Sequence, residues 1–289
     1  TWMTDKGSTV YNNKLKSFSE QYIDIIIEKA NLNPFFWKKI SRSFDLENIF
    51  YDYVFDTQKA LYRTIALKRI KSQNFISATA NGFFSSKKIN TNNLSRKYYL
   101  EDLFDLLNLI KKDQIDKNFK IPFPKPLVSK LDNYFFKKNK YFGIAPGAGE
   151  KNKIWPLKNF IKVGDFFQKN NFKIVLYLGP DEKNIKETLI RKFPNAIIPE
   201  DLIKNYSNIE TVIASTKYLT CALSNDSGIS HMLSSGYCPL IKLFGPKDST
   251  KFTPENTNLI TISSSKFNSK NISAIPVQSV IELIKSKLD

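Results

Sequence analysis

Alternating strand and helix signals through the second half of the chain predict an α/β fold built on a parallel, doubly wound sheet. Short apolar runs near residues 141–145, 174–178, 218–223 and 240–244 recur with helical stretches between them, the spacing of successive βα units. Glycine-bearing loops follow these runs, where open α/β sheets bind ligands. The length of 289 residues exceeds the ~150 of a typical domain, so two domains with one core each are expected.

The first half opens with a short extended start at Trp2-Met3. It continues through a helix–strand passage around Tyr22-Ile23-Asp24-Ile25-Ile26-Ile27 and reaches a strand at Tyr53-Val54-Phe55. Leu61, Ile65 and Lys68-Arg69 then suggest a basic helix. Leu100, Leu103, Phe104, Leu107 and Ile110 recur at the i, i+3, i+4, i+7 spacing of an amphipathic helix, a stripe that serves the core. Ile121-Pro122-Phe123-Pro124-Lys125-Pro126 breaks the pattern, because each proline lacks an N–H donor and neither a helix nor a central strand tolerates it. The interdomain linker is placed there, which divides the chain into domains 1–126 and 127–289. In the second domain a helix starting at Pro156 carries Leu157, Phe160, Ile161 and Phe167 on one face.

Hydrophobic residues make up 42% of the chain and aromatics 13%, enough apolar surface for packed interiors. Forty-four Lys and Arg against 27 Asp and Glu give a net charge of +17, which suits nucleic acid, an anionic membrane surface or a phosphorylated substrate. Arginine occurs only at Arg42, Arg63, Arg69, Arg96 and Arg191, so the excess is nearly all lysine, accompanied by many Asn, Ile and Phe. Coding bias on solvated faces accounts for part of it as readily as a selected anion-facing surface does. Cys221 and Cys238 lie in apolar segments without CxxC spacing, which fits a reducing cytoplasm and offers no zinc site. No apolar run approaches the ~20 residues that cross a bilayer, so membrane contact is expected to be peripheral. The chain starts Thr1-Trp2-Met3 without an initiator methionine, and a preceding segment is expected.

Several segments could carry chemistry. Pro146-Gly147-Ala148-Gly149-Glu150-Lys151-Asn152-Lys153-Ile154-Trp155-Pro156 leaves a strand and ends where proline opens a helix. Small residues let backbone N–H groups approach phosphate oxygens, and Lys153 supplies a full positive charge. A plain βα turn with a surface lysine accounts for the same residues. Ser224-Asn225-Asp226-Ser227-Gly228-Ile229-Ser230-His231 again follows a strand and enters a helix stopped at Gly236. Helix capping alone explains Asp226 or Ser227. The functional alternative has the Ser227 and Gly228 N–H groups hold a diphosphate, with His231, the only histidine, facing the same cleft. Leu178-Gly179-Pro180-Asp181-Glu182 ends another strand, where a carboxylate could accept hydrogen bonds from ribose hydroxyls. Phe244-Gly245-Pro246-Lys247-Asp248 closes the next.

These segments occur together and in order, and in that combination residues 141–254 resemble the C-terminal domain of family 9 glycosyltransferases, the ADP-heptose:lipopolysaccharide heptosyltransferases. A fainter similarity covers Tyr51-Asp52-Tyr53-Val54-Phe55-Asp56-Thr57-Gln58 and Arg63, near the family's acceptor cleft. The resemblance implies a GT-B architecture, two Rossmann-like domains facing a central cleft, with the last helix, near residues 277–288, returning to the N-terminal domain. It implies an ADP-sugar donor on the C-terminal domain. Lys153 would neutralise the diphosphate, Glu182 hold the ribose or base side and Asp226 orient the sugar. Gly147, Ala148, Gly149, Ser227, Gly228 and His231 would complete the donor site, and Gln58 and Arg63 would lie on the acceptor side. The reaction implied is inverting transfer of heptose to the lipopolysaccharide inner core at an anionic membrane surface, on the cytoplasmic side. No Asp-x-Asp pair is present, as in a metal-independent transferase, and no cofactor is implied. Trp2-Met3-Thr4 is similar to the family's second strand, so the first βα unit, with its general-base aspartate, is expected to be missing. A chain without that base is expected to bind donor and turn over slowly, by on the order of 10²–10⁴-fold.

Other readings compete. Binding of a nucleotide sugar without transfer would use the same C-terminal motifs and make no demand on Gln58 or Arg63. Serine hydrolysis by Asp226, Ser227 and His231 is disfavoured, since no G-x-S-x-G elbow is present and a triad within six residues has poor geometry. Nucleic-acid binding is not expected, because no groove-reading motif or interleaving of basic and aromatic residues is recognisable.

Overall fold

Every residue of the central strands 142–145, 221–225 and 240–244 is buried, as a parallel sheet covered on both faces requires. The computed structural model describes residues 1–58, 60–88, 99–110, 121–236, 238–245 and 258–288. In chain order the first half runs β1 (Trp2–Met3), α1 (Lys16–Ser19), β2 (Ile26–Ile27), β3 (Tyr51–Asp56), α2 (Leu61–Lys68), β4 (Ser72–Ser77) and α3 (Tyr99–Asn108). The second runs α4 (Lys125–Leu131), β5 (Lys140–Ala145), α5 (Leu157–Lys169), β6 (Phe172–Leu176), α6 (Lys183–Lys192), α7 (Pro199–Leu202) and α8 (Asn208–Ser215). It continues with β7 (Cys221–Asn225), α9 (Gly228–Ser234), β8 (Leu240–Phe244), β9 (Leu259–Ser263) and α10 (Val277–Leu288).

The chain forms two compact units, Thr1–Asn12 with Glu20–Phe119 and Asn13–Ser19 with Lys120–Asp289. Asn13–Ser19 therefore groups with the second unit, although the sequence reading gave all of 1–126 to the first. Glu210 supplies the reason. Its Oε1 accepts hydrogen bonds from the Ser17 N–H at 2.7 Å and the Ser17 hydroxyl at 2.6 Å. Its other oxygen accepts from the Ser207 N–H at 3.0 Å, in the capping box that opens α8. Phe18 of α1 is buried with Leu127 and Leu131 of α4 in the same core. The proline-rich stretch also differs from expectation, because α4 begins inside it. Pro126 occupies the first turn, where its missing N–H has no helical partner to lose.

In the first unit the described strands pair as two parallel ribbons, β1 with β2 and β3 with β4. Ile27, Ala30, Ile40, Leu46, Val54, Ile70 and Phe75 form its core. The passage around Tyr22–Ile27 contributes only the short strand β2.

The second unit holds one parallel sheet in the order β6-β5-β7-β8-β9. Its registers include Phe142 opposite Ile174, Ile144 opposite Leu223 and Leu243 opposite Ile262. β6 starts and ends two residues earlier than expected, and β7 starts later because Thr216–Tyr218 forms a 3-10 turn before it. α5 lies flat on the sheet. Phe167 stacks on Phe142 at 4.4 Å between ring centroids, and burying each such side chain contributes about 1.5–3 kcal/mol. Gly164 permits that approach, since a Cβ there would stand 2.6 Å from the Phe193 ring and 2.9 Å from Ile144 Cδ1. α10 packs Val280, Ile281 and Ile284 into this same core beside Trp155 and Phe160. Its buried face thus belongs to the core of the second unit.

From β5 the chain moves outward to β6 and then crosses back to β7. The carboxyl ends of β5 and β7 are therefore the topological switch point, where neighbouring loops diverge and leave a crevice.

Candidate functional site

The loop after β5 is fixed by one side chain from β7. Asn225 is fully buried at the end of that strand. Its Nδ2 donates to the Pro146 carbonyl at 2.6 Å and its Oδ1 accepts from the Trp155 N–H at 3.1 Å, which pins both ends of the loop. Trp155 is held in turn by its indole N–H, which donates to the Ile275 carbonyl at 3.1 Å. Lys151–Lys153 forms a 3-10 turn between these anchors. The result is that Lys153 Nζ lies 3.1 Å from Asp226 Oδ2 and 3.5 Å from Glu150 Oε1.

Asp226 has a second cation. Lys242 Nζ, from the middle of β8, lies 2.7 Å from Asp226 Oδ1. The Lys242 side chain is 2% exposed and that of Asp226 9%, so solvent screens this pair little. Burial alone raises the Asp226 carboxyl, but hydrogen bonds and charge from Lys242 and Lys153 outweigh it and hold the carboxyl below the ordinary range. Burial lowers the Lys242 ammonium, with Asp226 opposing that shift. Asp226 thus sits between two ammonium groups, and Lys153 also faces Glu150, so carboxylates match the cations of this ion network at the switch point.

α9 begins directly beyond Asp226. The Ser227 hydroxyl accepts from the Ser230 N–H at 3.4 Å, while the Ser227 N–H donates to Ser230 Oγ at 3.2 Å. Capping therefore engages the Ser227 N–H, one of the two groups read from the sequence as phosphate donors. Gly228 is exposed, and a Cβ built on it meets nothing within 4 Å. Gly149 has the same open surroundings. His231 is exposed one turn on, and partial burial, then the charge of Lys242, lower its pKa, with Asp226 opposing.

Glu182 reaches this crevice from the end of β6. Its N–H donates to the Gly179 carbonyl at 3.2 Å. A Cβ on Gly147 would come within 2.1 Å of Glu182 Oε1, and one on Gly179 within 2.6 Å of Oε2. Glycine at 147 thus makes room for the Glu182 carboxylate, which lies over the backbone of the β5 loop. Burial raises the pKa of that carboxyl. Ala148, half-buried, sits between Gly147 and Gly149. The loops after β5, β6 and β7 therefore bring Gly147, Ala148, Gly149, Lys153, Glu182, Asp226, Ser227, Gly228 and His231 to one edge of the sheet. Gly245 adds the end of β8, where a Cβ would stand 3.0 Å from the Asn152 carbonyl oxygen, whereas Pro246, Lys247 and Asp248 lie outside the described residues.

A separate polar group occupies the first unit. Arg63 Nη1 donates to Gln58 Oε1 at 2.8 Å, and Arg63 Nε lies 3.8 Å from Asp5 Oδ2. Buried Asp56, at the end of β3, accepts from the Thr64 and Ser77 hydroxyls and from the Gln58 N–H at 2.5, 2.9 and 3.0 Å. Asp5, Asp56, Gln58 and Arg63 border a cavity of about 930 Å³ with Trp2, Tyr53 and Tyr62 on its walls.

Sequence reasoning passed over Lys242, the bracing role of Asn225 and the organising role of Asp56. Lys242 left a signal, since a lysine inside Leu240-Ile241-Lys242-Leu243-Phe244 interrupts a run otherwise suited to a strand buried on both faces. Such a lysine calls for a counter-charge. Among the described residues no three His, Cys, Asp or Glu side chains gather as a metal site would require. No helix among them is long and apolar enough to cross a membrane.

An open parallel sheet with glycine-bearing loops and a Lys153–Asp226–Lys242 ion network at its switch point defines a doubly wound α/β protein. The sequence matches the family described as Glycosyltransferase family 9 (heptosyltransferase) over residues 44–276, and the chain belongs to that family. It is 24% identical over 127 residues to lipooligosaccharide heptosyltransferase 2 of Haemophilus influenzae, covering 42% of this chain and 35% of that protein. It is 24% identical over 146 residues to lipooligosaccharide heptosyltransferase 2 of Campylobacter jejuni serotype O:2, covering 49% and 44%. The chain thus spans less than half the length of these curated relatives. Among solved structures, a glycosyl transferase family 9 protein from Veillonella parvula matches with a TM-score of 0.71 at 17% identity, covering 100% of this chain and 88% of that one. The E. coli heptosyltransferase WaaC with ADP matches with a TM-score of 0.63 at 14% identity, covering 98% of both. At these identities the likeness carries the fold, which is the GT-B fold that the sequence motifs implied.

Proposed function

We propose that the second unit binds an ADP-sugar and that the protein transfers its sugar, a heptose, with inversion to a hydroxyl of the lipopolysaccharide inner core. The observation that carries this reading is the Lys153–Asp226–Lys242 cluster at the switch point of the sheet. Lys242 balances the Asp226 carboxylate from within the core, and Lys153, which pairs with Asp226 and Glu150, can exchange those carboxylates for a diphosphate. Family membership supports glycosyl transfer, and the ADP bound to the E. coli relative supports an adenine nucleotide.

In the transfer, the acceptor oxygen bonds to the anomeric carbon as the bond from that carbon to the diphosphate oxygen breaks. The bonding electrons leave with ADP, and the acceptor proton passes to a carboxylate base. Lys153 stabilises charge on the departing diphosphate, Asp226 orients the sugar, and Glu182 accepts from the ribose hydroxyls. Backbone groups of Gly147, Ala148, Gly149, Ser227 and Gly228, with His231, hold phosphate and sugar. Gln58 and Arg63 serve the acceptor. Because that acceptor is carried on lipid, the protein works at an anionic membrane surface, on the cytoplasmic side.

Calorimetric titration with ADP, UDP and ADP-heptose tests the donor reading. Selective binding of the adenine compounds, weakened in Lys153→Ala and Asp226→Asn proteins with unchanged circular dichroism, is the expected result. A folded protein that binds none of the three would reduce the cluster to a structural ion network.

A further inference from the structure

The loop at residues 33–42 of the first unit holds aromatic rings in water and is braced to do so. Phe36 is 84% exposed, Trp37 64% and Phe35 42%. A slack loop would let such rings fold back onto the surface, but this one is closed on itself. The Asn33 N–H donates to the Ile40 carbonyl at 2.8 Å, and Asn33 Oδ1 accepts from the Phe35 N–H at 3.0 Å. Arg69, just beyond α2, spans the loop from below, its guanidinium donating to the Asn33 carbonyl at 2.6 Å and also to the Lys38 carbonyl. Ile40 is buried in the core of the unit, and its N–H donates to Glu47 Oε1 at 2.6 Å.

The rings pack on one another as a wedge. Phe35 and Trp37 stack at 4.9 Å, and Phe36 meets Trp37 edge to face at 4.8 Å. Exposed Lys38, Lys39 and Arg42 fringe it, with Lys38 Nζ 5.5 Å from the Phe35 ring centre. The neighbouring carboxylates of Asp45 and Glu47 accept from the Asn48 Nδ2 and the Ile40 N–H and keep their charge, so three cations face two acids and the stretch retains a small positive excess. Single-stranded nucleic acid also favours aromatics beside cations, but it needs open ring faces on which bases stack. Here Phe35 and Trp37 each lose one face to the other and Phe36 projects from them edge to face, so the rings form a protruding tip and not a row of parallel faces. A rigid aromatic wedge with long cationic side chains around its base suits the interface of an anionic bilayer, where rings enter the headgroup–acyl boundary and lysines reach the lipid phosphates. The net charge of +17 adds a longer-range attraction to the same surface.

We infer that residues 33–42 form the membrane-docking element of this protein, with Phe36 and Trp37 entering the bilayer interface and Lys38, Lys39 and Arg42 binding lipid phosphates. The inference rests on the membrane-surface acceptor proposed above and names the residues that would bring the protein to it.

Co-sedimentation with vesicles of phosphatidylethanolamine and phosphatidylglycerol, set against phosphatidylcholine alone, tests it. The protein is expected to bind the anionic vesicles. Phe36→Ser combined with Trp37→Ser should lower the partition coefficient by about tenfold or more, because little apolar area is left to bury. Lys38→Gln with Lys39→Gln should weaken binding at low salt and make little difference at high salt. Melting temperature and ADP binding should be unchanged in both, and Trp37→Phe should retain binding while losing quenching by brominated lipid. If the Ser variant binds as well as the parent, the loop is not the dock and the membrane reading survives elsewhere on the protein. If the parent binds no vesicle, both fall, whatever ADP binding shows. If the parent instead binds a single-stranded oligonucleotide at physiological salt and the Ser variant does not, the loop is a stacking surface and the inference is overturned.

Discussion

Lys242 Nζ lies 2.7 Å from Asp226 Oδ1 while its side chain is 2% exposed, so the sheet of the second unit carries a charge in its interior that only Asp226 and its surroundings balance. Removing one partner of such a pair leaves the other uncompensated. Asp226→Ala is therefore expected to cost about 3–5 kcal/mol at neutral pH, with less of that cost at high pH, where Lys242 can shed its proton. Lys242→Met alone should cost far less, because Lys153 still faces the carboxylate, and adding it to Asp226→Ala should restore most of the lost stability. Urea unfolding of the two single variants and the double variant measures this coupling. Additive losses would show that the two groups do not depend on each other.

Acid should act through the same carboxylate. Asp226 is held below the ordinary range, so the folded state releases this proton more readily than the unfolded chain does. The associated stability is complete above the unfolded value of ~3.9 and is lost as pH falls through the lower folded value. Asp226→Asn should accordingly flatten the stability–pH curve below about pH 4. A parallel curve in the variant would mean that other carboxylates govern acid unfolding.

His231 gives a direct probe, since it is the only histidine in the chain. Its pKa is lowered by partial burial first and by the nearby Lys242 charge next, so its titration by NMR should have a midpoint below ~6.5. A diphosphate bound beside Lys153 would reverse the local charge and raise that midpoint. ADP binding should then take up protons as pH falls through the raised midpoint, and tighten with that fall. A midpoint that ADP leaves in place would put the ring outside the phosphate site.

Gly147→Ala separates folding from ligand positioning. The new methyl group would stand 2.1 Å from Glu182 Oε1, at the flexible end of a side chain, so the carboxylate should swing away at a cost below about 1 kcal/mol. Adenine nucleotide affinity should drop together with that of Glu182→Gln, and the double variant should be no weaker than either. Gly164→Ala provides the contrast. Its methyl would press on the Phe193 ring and Ile144 inside the core, and overpacking there should cost about 1–3 kcal/mol without altering nucleotide selectivity.

Much of the second unit was legible in the residues alone. Short, mostly apolar runs separated by amphipathic helices leave few alternatives to a parallel sheet, and β8 falls at the residues where it was expected. The glycine-bearing loops were visible too, since their chemistry is local in the chain. Their ligand site was legible only as an expectation, because a plain turn and an anion cradle draw on the same residues.

Contacts between residues distant in sequence were decided by the tertiary structure. Asn225 pins a loop that begins 79 residues earlier in the chain, at Pro146, and no local pattern marks it. Glu210 holds Ser17 across 193 residues, which carries Asn13–Ser19 over to the second unit. Lys242 reads as an interruption in a strand until packing sets it beside Asp226. Local propensity and periodicity act over a few neighbours and so can be read along the chain. The partner of a buried charge, or of a buried amide, is chosen by which strands become adjacent, and that choice exists only once the sheet has formed.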